Sequence, residues 1–82
     1  MQAEQAHPRF SFTVDGEEFE TREKTLTPRQ IMGIAGIDAD SHYLVLIEGR
    51  HQKSFENQAS EPVHMRNQMK FVTVSTGPTP VS

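Results

Sequence analysis

The chain has 82 residues, enough for one small domain with a modest core but not for a deep catalytic cleft beside it. Its net charge is −3 and it contains no basic run, so nothing in it attracts nucleic acid or anionic lipid. It has no cysteine, which excludes disulfides, thiol nucleophiles and cysteine-held zinc. No apolar run approaches a membrane span, and the N-terminus lacks the charged-then-apolar order of a signal peptide, so a soluble cytoplasmic protein is expected. Residues 1–8 (MQAEQAHP) and 77–82 (GPTPVS) offer almost nothing to a core. They read as a disordered N-terminal tail and a flexible C-terminal tail around one domain at 9–76.

In chain order, Phe10, Phe12 and Val14 alternate with Ser11 and Thr13, the period of a half-buried strand. Asp15-Gly16 follows, the dipeptide of a tight hairpin turn, and E-E-F-E-T returns with Phe19 inward and the acids outward. Thr27 is an N-cap, Pro28 suits the first helical position, and Gln30 completes a capping box. A helix is expected over 28–35, with Ile31, Ile34 and Ala35 as its apolar stripe and Gly36 as its left-handed end. Leu26 is placed to staple back onto Ile31 or Met32. Residues 43–49 (YLVLIEG) read as the central strand, apolar on both faces. A short edge strand follows, anchored by Phe55. Residues 57–65 read as a loop or a single helical turn, with Pro62 and Val63 as a small hydrophobic foot. Met69–Ser75 is the last strand.

This order predicts an α+β β-grasp: a mixed sheet of four to five strands with one helix packed on one face and the other face bare. On the last strand Lys70 should not point into the core, so Lys70, Val72 and Val74 are expected on the bare face. Leu44 and Leu46 join them there if the strands are neighbours, forming an exposed apolar patch of the kind that marks an interface. The alternative places Leu44 and Leu46 under the helix with Tyr43 and Val45 outside, since a one-residue slip exchanges the two faces. The four histidines, His7, His42, His51 and His64, have no metal-motif spacing. The acids of 17–20 form a solvated strand face, and no nucleophile or phosphate-loop motif is present, so the chain is not expected to be an enzyme.

The pieces F-T-V-D-G-E-E-F-E, L-T-P-R-Q-I-M-G-I-A-G, Y-L-V-L-I and E-P-V-H-M…F-V-T-V, in this order, resemble the bacterial multiubiquitin family of ubiquitin-like proteins over about residues 9–76. The resemblance implies a protein modifier. Its C-terminal carboxylate would be adenylated by an activating enzyme using ATP, passed as a thioester to a conjugating enzyme, and joined to a target protein through an isopeptide or ester bond. A JAB-type metallopeptidase is the implied processing partner. The chain itself would need no cofactor. Ubiquitin-type modifiers end in a glycine pair; here Gly77 stands alone before P-T-P-V-S. Gly77 is then the implied conjugation terminus, and Gly77-Pro78 the implied processing site that releases a propeptide. Gly-Pro is also ordinary loop punctuation. Two alternatives share the fold: a non-conjugated adaptor that binds partners through the bare sheet face, and a sulfur carrier that ends in a thiocarboxylate.

Overall fold

The computed structural model describes residues 9–76. Strands β1 (Phe10–Val14) and β2 (Glu17–Thr21) form an antiparallel hairpin. Asp15 and Gly16 both take positive φ, 53° and 87°, so the two-residue turn follows the twist of its strands. The register sets Phe12 opposite Phe19, with ring centroids 5.9 Å apart. A two-residue strand, β3 (Thr25–Leu26), leads into helix α1 (Pro28–Ile34).

The helix is closed at both ends by side-chain and backbone partners that the sequence announces. The Gln30 N–H donates to Thr27 Oγ1 at 3.2 Å, and the Thr27 N–H donates to Gln30 Oε1 at 2.9 Å. At the far end Gly36 takes φ 76°. The Ile37 N–H reaches the Met32 carbonyl at 2.8 Å and the Gly36 N–H the Gly33 carbonyl at 3.1 Å, a Schellman closure. The helix stops one residue short of the expected 28–35. Its buried side chains are Pro28, Ile31 and Met32, with Ala35 packed at the margin, while Ile34 is 42% exposed. The expected stripe was therefore rotated: Met32, not Ile34, accompanies Ile31 into the core.

Strands β4 (His42–Glu48) and β5 (His51–Ser54) form a second hairpin, in which Gly49 takes φ 60°. Residues 57–65 are not simply a loop. Within them β6 (Val63–His64) pairs antiparallel with β3, setting Leu26 opposite Val63. Strand β7 (Met69–Ser75) lies parallel to β1 and antiparallel to β4. The architecture is α+β, a mixed five-stranded sheet in the order β2-β1-β7-β4-β5 with one helix and a second, two-stranded sheet. It is compatible with a β-grasp. The core lies between the helix and the sheet, centred on Phe12, Ile31, Leu44 and Phe71, each 0% exposed. Apolar burial of this kind is the main driving force for folding.

Candidate interaction face and C-terminal exit

The pairing of β4 with β7 decides which side chains share a face. Leu46 stands opposite Phe71 and Leu44 opposite Thr73. Opposed residues in an antiparallel pair point the same way, and Phe71 is fully buried, so both leucines point under the helix. Leu44 is 0% exposed and Leu46 6%, and both belong to the core cluster. The expectation that Leu44 and Leu46 lie on the bare face is corrected: the parity is the other one.

Tyr43, Val45 and Ile47 occupy the bare face instead, opposite Val74, Val72 and Lys70 respectively. The expected placement of Lys70, Val72 and Val74 on that face stands. Val45 is only 7% exposed yet lies outside the main core cluster, flanked on the neighbouring strands by Ser54 and Val72. Val74 is the most open of the set at 39%. The stripe is rimmed by polar groups. The row Glu18, Thr13, Lys70, Ile47, Gln52 crosses all five strands on this side. One sequence signal points to the parity: the γ-branched leucines of Y-L-V-L-I suit a packed core, while the β-branched Val45 and Ile47 suit an open sheet surface.

Strand β7 ends at the surface. Val74, Ser75 and Thr76 are all exposed. The strand is nevertheless held along its length. The Asp15 N–H donates to the Phe71 carbonyl at 3.0 Å, and the Asp15 carboxylate accepts the Thr73 N–H at 2.9 Å and the Thr73 hydroxyl at 2.6 Å. Beyond the paired His42 and Ser75, the Thr76 N–H donates to the Ser41 carbonyl at 2.8 Å. Ser41 is itself fixed by the turn after the helix, where its N–H reaches the Asp38 carbonyl at 3.2 Å and its hydroxyl lies 3.0 Å from His42 Nδ1. Gly77 and Pro78, the expected conjugation terminus and processing site, lie outside the described residues.

Among the described residues, no group of acidic or histidine side chains is arranged to hold a metal ion. His42, His51 and His64 begin β4, begin β5 and end β6, on separate elements. No helix among the described residues is long and apolar enough to cross a membrane. The chain matches no protein family, no curated protein and no solved structure.

Proposed function

We propose that the chain is a ubiquitin-like modifier built on a β-grasp. The observation that carries this reading is the position of β7. It is the central strand, parallel to β1, and it brings Val74–Thr76 to the exposed end of the sheet immediately before Gly77. In this reading a JAB-type metallopeptidase frees the Gly77 carboxylate. An activating enzyme joins that carboxylate to AMP from ATP, releasing pyrophosphate, and its cysteine then displaces AMP to form a thioester. A conjugating enzyme passes the chain on to an amine or hydroxyl of a target protein. The chain supplies no catalytic group, only a slim terminus and a docking face. Glycine suits the terminus because it has no Cβ to obstruct close approach to a nucleotide site.

Incubation of the purified chain with a JAB-type metallopeptidase, an activating enzyme of the ubiquitin type, ATP and magnesium tests this by mass spectrometry. The expected products are a chain shortened to Gly77 and its thioester on the activating enzyme. An intact, unlinked 82-residue chain would sink the reading.

The adaptor reading is favoured by a separate observation. Thr76 is still hydrogen-bonded to Ser41, so a terminus at Gly77 extends only one residue past the sheet. A protein that works solely through Tyr43, Val45, Ile47, Val72 and Val74 needs no free arm. Under that reading partner binding survives deletion of residues 77–82.

A further inference from the structure

The two edges of the five-stranded sheet carry opposite charge. Strand β2, at one edge, presents Glu17, Glu18 and Glu20. Strand β5, at the other, follows Arg50 and presents His51 and Lys53, and all four of its residues are exposed. Among the described residues neither Arg50 nor Lys53 enters an ion pair. Along β5 the main-chain groups alternate in direction. The Phe55 N–H donates to the Leu44 carbonyl at 2.8 Å, so the groups of His51, Lys53 and Phe55 face β4. Those of Gln52 and Ser54 face outward, where another strand could pair with them.

Beside this edge, on the helix side of the sheet, runs a groove of about 260 Å³ between β5 and the β6 segment. Its floor is apolar, formed by Leu46, Phe55, Val63 and Met69. Its rim carries Lys53, whose Nζ stands 5.4 Å from the Phe55 ring centroid, and Arg66, which is paired with Glu48. Lys53 and His51 point to this same side, opposite Leu46 and Glu48. An unpaired edge, a cationic flank and an apolar trough therefore coincide.

We propose that β5 accepts an extended acidic peptide segment as a sixth strand, with carboxylates set against Lys53 and Arg50 and an aliphatic side chain in the groove. Main-chain pairing with Gln52 and Ser54 supplies the affinity, and charge selects the edge. Residues set opposite Lys53 would form a non-hydrogen-bonded pair, the closer of the two kinds, where opposite charges interact best. The same peptide is repelled from β2 by its three glutamates. This surface is distinct from the bare face and does not depend on the modifier reading.

The test is a titration of the full chain, followed by amide NMR, with a short acetylated and amidated peptide, Thr-Glu-Thr-Val-Thr-Glu-Thr, whose glutamates and valine share one strand face. The largest shifts are expected at Gln52 and Ser54. Lys53→Glu, an exposed substitution, should weaken binding roughly tenfold, a size typical of a lost and reversed charge contact. N-methylation of the threonines, which removes the donors facing Gln52 and Ser54 without changing charge, should abolish binding. The proposal is overturned by equal binding of the N-methylated peptide or of the same peptide with lysine in place of glutamate. Shifts centred on Tyr43 and Val72 would overturn it too, as would no binding at millimolar peptide, which would mark Lys53 as a guard against strand pairing.

Discussion

Asp15 performs two tasks with one side chain. It tolerates the left-handed backbone that the hairpin turn requires, at φ 53°, and its carboxylate holds both the N–H and the hydroxyl of Thr73. The two contributions can be separated. Asp15→Ala loses the carboxylate and strains the turn, and should cost about 2 kcal/mol. Asp15→Gly loses only the carboxylate and should cost about 1 kcal/mol. In a domain of this size each kcal/mol lowers the melting temperature by roughly 4–8 °C, so thermal unfolding resolves the two variants. Equal losses would mean that the turn carries no strain for aspartate to relieve. Gln68 presents the converse case. It takes φ 65° just before β7 with an exposed side chain, and its N–H donates to the Ser11 carbonyl at 2.6 Å. Gln68→Gly keeps that bond and relieves the strain, and should raise stability by about 0.5 kcal/mol after the entropic cost of glycine.

At the scale of elements, the face assignment of β4 makes its own prediction. Leu44→Ala opens a cavity at a fully buried position and should cost about 2–5 kcal/mol, a large share of a small domain's stability. Val74→Ala, on the open face, should change stability by less than about 0.5 kcal/mol. Chemical denaturation of the two variants tests the parity directly: similar losses would contradict the observed register. The same strand shows where the sequence is legible and where it is not. Local chemistry could be read residue by residue. Asp15-Gly16 gave the first hairpin, Thr27-Pro28-Gln30 the start of the helix, and Gly36 its end, because each acts on its own backbone neighbours. The parity of β4 could not be read that way. Y-L-V-L-I is apolar on both faces, so its hydropathy carries no contrast; the leucine against β-branched alternation is a weak cue, and the register with β7 decides the side. The β3–β6 pair was equally hidden. Two residues make no period, and Leu26 meets Val63 only after the intervening strands have been laid down.

At the scale of the whole molecule, the order of the strands places the chain's C-terminal segment under a constraint. Strand β7 is flanked by β1 on one side and β4 on the other, and its last backbone bond among the described residues joins Thr76 to Ser41. For a Gly77 carboxylate that enters another protein's nucleotide site, opening that end of the β4–β7 ladder would lengthen the free terminus. The cost is small, because terminal pairs that are exposed to water fray at a fraction of global stability. A staple would show whether the opening is needed. His42 and Ser75 face each other as a non-hydrogen-bonded pair, whose close Cα spacing suits a disulfide, and the chain has no cysteine to compete. His42→Cys with Ser75→Cys should, once oxidised, raise the melting temperature and block thioester formation with the activating enzyme, and prior reduction with a phosphine, which does not cleave thioesters, should restore it. Full activity of the oxidised protein would mean that the terminus is presented without unzipping, leaving the modifier reading intact. Activity absent from the unmodified chain as well would remove that reading and leave the sheet surfaces as the working parts of the molecule.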